Sequence, residues 1–320
     1  MSRSKQNPDG APDEPARQSI SKLQQLKASL TARGLAPKKM FGQNFMVDSN
    51  FAAAVARDAN PGEKTLLIEV GPGTGCLTQA LLDSHPSARV LAIEIDRGLA
   101  ALLRETFAEP LASGRLTLLD GDALDGKHVI APEFAHAINE ISTKENRPRR
   151  VLCANLPYNA ATPLLANFAV DAQNLNIESA IATIQLELAQ RLFAKPGESA
   201  YGGLTALLAL RAEGKIIRKI GGEIFWPRPQ VDSAVIRLDY LPWPGDIGAK
   251  AASTLRRTEV ENFQAFLQKL FSQRRKTVRA VLKPVLIPES LKLPENARAE
   301  DLPPQMLLEL FRSTRDAEDR

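Results

Sequence analysis

Thr65-Leu66-Leu67-Ile68-Glu69-Val70-Gly71-Pro72-Gly73-Thr74-Gly75 is a short, mostly apolar run that passes directly into a glycine-rich turn, with a helical pattern from Cys76 through Leu82 behind it. Strand, tight turn and helix in that order form the first crossover of a doubly wound sheet, and glycines such as Gly71 and Gly73 let a ligand approach the backbone. A dinucleotide fingerprint would need its third glycine at position 76, where Cys76 stands, so G-x-G-x-G favours a methyltransferase over an NAD or FAD enzyme. Outward from this turn, strand-length apolar runs alternate with helical patterns: Val90 to Ile95, Leu116 to Leu119, Val151 to Ala154 and Ala180 to Ile184. That alternation predicts βαβ units, a parallel sheet and helices on both faces. Two more strand candidates follow, Lys215 to Ile220 and Ser233 to Leu238.

Ligands of such sheets bind outside the carboxyl ends of the strands. Gly71, Glu94, the Asp120-Gly121-Asp122 run and Asn155 stand at four successive strand ends and converge on one crevice. Glu94 is spaced to meet ribose hydroxyls, and a carboxylate after the third strand can accept a hydrogen bond from an adenine amine. The fourth strand delivers Asn155-Leu156-Pro157-Tyr158. The Asn155 side-chain oxygen and the Leu156 carbonyl can each accept one proton of an exocyclic amine, turning its lone pair toward an incoming methyl group. Pro157 stiffens the turn, and Tyr158 offers an aromatic face to an extruded base. This chemistry requires no metal or general base.

The remaining sequence bounds the setting. Residues 1–16 are polar and are expected to be a disordered tail; 17–242 form the α/β domain with an N-terminal helical segment around Ile20, Leu23, Leu26 and Leu30. Gly126 to Arg150 breaks the rhythm and reads as a loop or partly helical insertion. Leu241-Pro242-Trp243-Pro244-Gly245 reads as a linker to a small helical domain, 243–320, where Phe263, Phe266, Leu267, Leu270 and Phe271 share one helix face. The net charge is +4, yet residues 211–283 carry fifteen Lys/Arg against seven Asp/Glu, a local surplus of +8 suited to a polyanion. The start shows no secretory signal and no apolar run approaches the roughly 20 residues of a membrane span, so a cytoplasmic address is expected. Cys76 and Cys153 support neither a disulfide framework nor a zinc site, and no metal is expected.

Several ordered motifs resemble one family. They are Phe41-Gly42-Gln43-Asn44-Phe45-Met46, Ile68 to Gly75, Glu94-Ile95-Asp96, Gly121-Asp122-Ala123 and Asn155 to Tyr158. Tyr201-Gly202-Gly203-Leu204, Pro227 to Ala234 and Phe271-Ser272-Gln273-Arg274-Arg275-Lys276-Thr277 continue the series. Together they are similar to the ribosomal RNA adenine N6,N6-dimethyltransferases, nearest the small-subunit (KsgA/RsmA) branch. The resemblance implies a Rossmann-like class I fold, S-adenosyl-L-methionine as methyl donor, and a pocket formed by Asn44, Met46, Gly71, Glu94, Asp122 and Asn155. It selects Asp122 over Asp120. It further implies two adjacent adenosines of the 16S rRNA 3′-terminal hairpin as substrate, in the assembling 30S subunit, with the protein acting as a monomer. Arg274, Arg275 and Lys276 then read as phosphate contacts, with helix capping as their alternative. Met46 replaces the usual Leu, Leu186 stands where many relatives carry Lys, and the stretch before Val151 is longer than the family norm. The rival readings are an Erm-like 23S rRNA methyltransferase, a small-molecule methyltransferase and a non-catalytic RNA- or DNA-binding assembly or transcription factor.

Overall fold

The computed structural model describes residues 22–126, 129–171, 173–244, 255–283 and 287–318. The expected tail at 1–16 lies outside them. Two compact units divide the chain, Met1–Ala36 and Pro37–Arg320. The first contains helix α1 (Lys22–Ala32), which stops where the Leu35 N–H returns to the Leu30 carbonyl at 2.8 Å.

The second unit opens with β1 (Phe45–Met46), α2 (Ser49–Ala59), β2 (Thr65–Val70), α3 (Cys76–Ser84), β3 (Arg89–Glu94) and α4 (Arg97–Thr106). It continues through α5 (Ala108–Ala112), β4 (Leu116–Asp120), β5 (Leu124–Asp125), β6 (Val129–Ile130), α6 (Pro132–Lys144), β7 (Arg149–Asn155) and α7 (Ala161–Val170). Then follow β8 (Ser179–Gln185), α8 (Leu186–Leu192), α9 (Gly203–Arg211), β9 (Ala212–Ile220), β10 (Phe225–Trp226) and β11 (Ser233–Tyr240). The helices α10 (Val260–Phe271), α11 (Val278–Val281) and α12 (Pro304–Glu318) complete it.

Seven strands form the main sheet in the order β4-β3-β2-β7-β8-β11-β9. All seven strand candidates are present, and their apolar content follows from burial on both faces: β2 is buried at every position. The neighbours from β4 to β8 are parallel, while β11 runs antiparallel to both β8 and β9. The sheet is therefore not purely parallel, because β11 returns by hairpin and wedges between the fifth and sixth strands. A dinucleotide sheet would place its strands in the order 3-2-1-4-5-6 without that hairpin.

The stretch before Val151 is more regular than its charge suggested. Pro132 starts α6, whose Phe134, Ala135, Ala137 and Ile138 are buried, so it serves as the crossover helix between β4 and β7. Its polar residues occupy the outer face, and β7 begins at Arg149 rather than Val151. Burying Phe134 and Ile138 contributes about 1.5–3 kcal/mol each. Correspondingly, the Leu241–Pro244 segment is no free linker. Trp243 is buried, with the Arg211 guanidinium 3.6 Å and the Arg257 guanidinium 4.8 Å from its ring centroid. One apolar cluster runs from the sheet through α9 into α10 and α12, so the C-terminal helices share the core of the α/β part.

Candidate active site

The parallel register lines up the strand ends that carry the expected site. Glu94 lies opposite Asp120, Val70 opposite Ile93, and Asn155 opposite Thr183. Gly71 turns away from β2 with φ +68° while its N–H donates to the Ile93 carbonyl at 2.9 Å. A Cβ there would lie 3.2 Å from the Pro157 ring, so the first-strand turn and the fourth-strand segment are in contact. Gly73, at φ +61°, has Phe45 against it at 3.0 Å from the same hypothetical atom. Both turns take a left-handed conformation at close quarters, which restricts them to glycine.

Glu94 is buried, and both its oxygens are engaged: Oε2 accepts from Gly73 N and Oε1 from Asp96 N, each at 2.9 Å. Burial pushes its carboxyl up, and these backbone donors partly oppose the shift. A carboxylate oxygen can accept more than one hydrogen bond, so acceptor capacity remains for two hydroxyl groups. Asp120 and Asp122 separate clearly. Asp120 faces α4 and pairs with Arg104 at 2.7 Å, whereas Asp122 lines the crevice and accepts Leu124 N at 3.0 Å through Oδ1.

Asn155 Nδ2 donates to the backbone carbonyl of Asn44 at 3.0 Å. A carbonyl can only accept, so this bond sets which end of the amide is nitrogen and leaves Oδ1 for a donor from outside. Leu156 is buried, its N–H donates to Thr183 O at 3.1 Å, and its carbonyl accepts no hydrogen bond among the described residues. The Pro157 carbonyl accepts from Ala160 and Ala161, closing the turn into α7. The Tyr158 and Ser233 hydroxyls share a hydrogen bond of 2.8 Å, and burial raises the phenol's pKa.

The Phe41 to Met46 segment reaches this crevice by pairing β1 with β10, Met46 opposite Phe225. Met46 is buried there and lines the smaller cavity, and Asn44 Nδ2 donates to Gly42 O at 3.3 Å. Lys38 holds the segment from its other end through an ion pair with Asp96 at 2.9 Å. Burial would raise the Asp96 carboxyl, but the Lys38, Gly98 and Gln43 hydrogen bonds hold it below its ordinary range. Sequence reasoning missed this latch, and missed Glu69 and Ser233. Glu69 is a buried carboxyl pushed up to about 8 by desolvation, accepting from Thr78 Oγ1 at 2.7 Å and lining the smaller cavity. Its signal was an acidic residue inside an otherwise apolar strand.

The two cavities meet at Phe41, Gly71, Ile95 and Pro157. The smaller, about 60 Å³, holds Asn44, Met46, Gly73, Glu94 and Asn155 to Tyr158. The larger, about 660 Å³, contains Asp122 and extends to α7, α9 and α10. All the expected crevice residues thus come together. Among the described residues, no cluster of three or more His, Cys, Asp or Glu is arranged to hold a metal.

The basic region is less free than its charge implied. Arg211 donates to the Ala169 and Leu241 carbonyls, Arg218 pairs with Asp58, Arg237 with Asp239, and Arg257 with Asp171. Arg274 pairs with Glu300 at 2.6 Å and donates to Ser199 O at 2.9 Å, so it joins two segments rather than capping α10. Arg275 and Lys276 are exposed and have no ion pair among the described residues. Leu186, where a cation would be usual, packs its side chain against the core at the start of α8.

Comparison with known proteins decides the family. The family described as "Ribosomal RNA adenine dimethylase" matches residues 34–316. The chain belongs to the ribosomal RNA adenine dimethylase family. Among relatives of this dimethylase, the "Ribosomal RNA small subunit methyltransferase A" of Bifidobacterium longum is 36% identical over 264 residues, 81% of each chain. That of Ruegeria pomeroyi is 37% identical over 265 residues, 82% of this chain and 85% of its own. A dimethyladenosine transferase from Plasmodium falciparum superposes with a TM-score of 0.62 at 22% identity, covering 85% of this dimethylase and 97% of the other chain. The 23S rRNA methyltransferase ErmE gives 0.57 at 23%, covering 85% and 100%. These two likenesses concern the fold alone, a Rossmann-like α/β methyltransferase fold.

Proposed function

We propose that this dimethylase transfers methyl groups from S-adenosyl-L-methionine to N6 of two adjacent adenosines in the 3′-terminal hairpin of 16S rRNA, during 30S assembly. The observation that carries the chemistry is the Asn155 to Asn44 hydrogen bond, which leaves Asn155 Oδ1 to accept, as the carbonyl of the next residue, Leu156, also can. Two acceptors suit the two protons of one exocyclic amine, and the names of the relatives support the small subunit over 23S rRNA.

Gly71 and Gly73 offer a backbone cradle without side chains, Glu94 accepts from ribose hydroxyls, and Asp122 accepts from the adenine amine. Asn44 and Met46 close the pocket from the β1 side. When bound, the donor supplies an electrophilic methyl group on a cationic sulfur. Asn155 and the Leu156 carbonyl orient the N6 protons, Pro157 keeps that carbonyl in place, and Tyr158, steadied by Ser233, stacks on the extruded base. Arg275 and Lys276 meet phosphates, while Arg274 supports them from its Glu300 pair. The helices after residue 255 serve as the RNA-gripping part, and the protein works as a monomer in the cytoplasm.

The test is to incubate undermethylated 30S and 50S subunits with the protein and labelled methyl donor and to map modified nucleotides in both rRNAs. Label on two adjacent adenosines near the 16S 3′ end is expected. Label confined to 23S rRNA, or none, overturns the reading.

A further inference from the structure

Gly71 and Asp122, proposed above to meet the donor, line one half of the 660 Å³ cavity; the other half extends away from the strand ends to α9 and α10. Its walls are Leu204 and Leu207 of α9 and Gln264, Leu267, Gln268 and Phe271 of α10. Gln264, Gln268 and Phe271 stand at i, i+4 and i+7, so they share one helix face. The back of this half is rigidly built. Phe271 meets Tyr201 edge-on at 5.8 Å, Tyr201 Oη donates to Leu302 O at 3.1 Å, and Leu267 packs on Gly203.

The chemistry of the lining is specific: an apolar, aromatic floor, two carboxamides, and the exposed Arg191, whose guanidinium has no hydrogen bond or ion pair among the described residues. Carboxamides are paired donors and acceptors that match the edge of a nucleobase, and an unpaired guanidinium suits a phosphate. The exposed cations Arg275 and Lys276 stand four and five residues after Phe271. Pro157 lines both cavities, whereas Asn155 lines only the smaller one.

We propose that this half of the cavity is a second nucleotide site, which takes a base flanking the reacting adenosine on the same RNA strand. The inference rests on the RNA methylation reading above. The base lies against Leu204 and Phe271, Gln264 and Gln268 meet its edge, and Arg191 meets its phosphate. One strand is then held at two nucleotides, so the energy of binding the flanking nucleotide helps position the reacting one.

Two variants of the full chain test this on undermethylated 30S subunits. Gln268→Trp fills the cavity from an exposed position. It is expected to lower kcat/KM for subunits about tenfold, equivalent to about 1.4 kcal/mol, with donor affinity within about twofold of wild type. A photo-crosslinking p-benzoylphenylalanine placed at position 268 is expected to capture a nucleotide within about two of a methylated adenosine, the reach of one neighbouring base. Unchanged kinetics, loss of donor affinity, or crosslinks confined to distant rRNA or to ribosomal protein would each overturn the second site. Failure of the wild-type protein to methylate 16S rRNA would overturn the parent reading instead.

Discussion

Asn155 gives its side-chain N–H to the backbone carbonyl of Asn44 at 3.0 Å, joining residues 111 positions apart in sequence. That contact fixes the acceptor end of the Asn155 amide without any ligand. Asn155→Ala is therefore expected to reduce kcat on 30S subunits by at least about 100-fold, the scale of a misplaced reacting group, with donor affinity little changed. Asn155→Asp should fail similarly, since a carboxylate cannot donate to the Asn44 carbonyl. Single-turnover methylation with separate donor titration checks both variants, and near-normal turnover in either removes Asn155 from the mechanism.

Glu94 holds the turn through Gly73 N and Asp96 N and offers its remaining lone pairs to ribose. Glu94→Gln keeps the size but replaces one acceptor with a donor, and calorimetric titration should show donor binding weakened by about 1–3 kcal/mol. Because burial raises this carboxyl, protonation on acidification begins above the ordinary carboxylate range. Wild-type donor affinity should fall with it, and the Gln variant should lack that dependence.

The Glu69 carboxyl, pushed up to about 8, stays protonated in the fold while the unfolded chain ionises it at its ordinary value. Over about pH 5 to 8 the native state then binds more protons than the unfolded state, so stability falls as pH rises, by up to roughly 1.4 kcal/mol per unit. Glu69→Gln retains an acceptor for Thr78 and removes the ionisation. Urea unfolding at several pH values should show it more stable than wild type at pH 8, with a flatter profile; parallel profiles would place the proton elsewhere.

Arg275 and Lys276 differ from Arg274 in having no side-chain ion pair among the described residues. Changing both to Glu should weaken 30S binding and lower the salt slope by about two, one for each phosphate lost. Arg274→Ala should instead show itself in thermal melting, through the lost Glu300 pair. Filter binding across a salt series distinguishes these outcomes.

Much of this was legible in residue order. The seven strand candidates and the strand-end positions of Gly71, Glu94, the Asp120 to Asp122 run and Asn155 follow from local periodicity and turn chemistry, which depend on near neighbours, whereas the choice of Asp122 and the inclusion of Asn44 and Met46 came from the family resemblance. The α6 helix was obscured because its outer face and the Lys144 to Arg150 run are charged, although Phe134, Ile138 and Ile141 already marked its inner face. The local +8 surplus misled in the opposite direction, since charge counts cannot reveal that Arg211, Arg218, Arg237, Arg257 and Arg274 are engaged by acceptors within the protein.

The sequence alone determined the alternation of strands and helices and which residues stand at the strand ends, Gly71, Glu94, the Asp120 to Asp122 run and Asn155, because each belongs to one local motif. Only the tertiary structure decided that β11 runs antiparallel, that Asp96 latches Lys38, that Ser233 steadies Tyr158, and that Asn155 faces Asn44. The reason is distance along the chain. These partners are brought together by sheet order and by the β1–β10 pairing, and that pairing carries Phe41 to Met46 onto strand ends formed far later in the sequence.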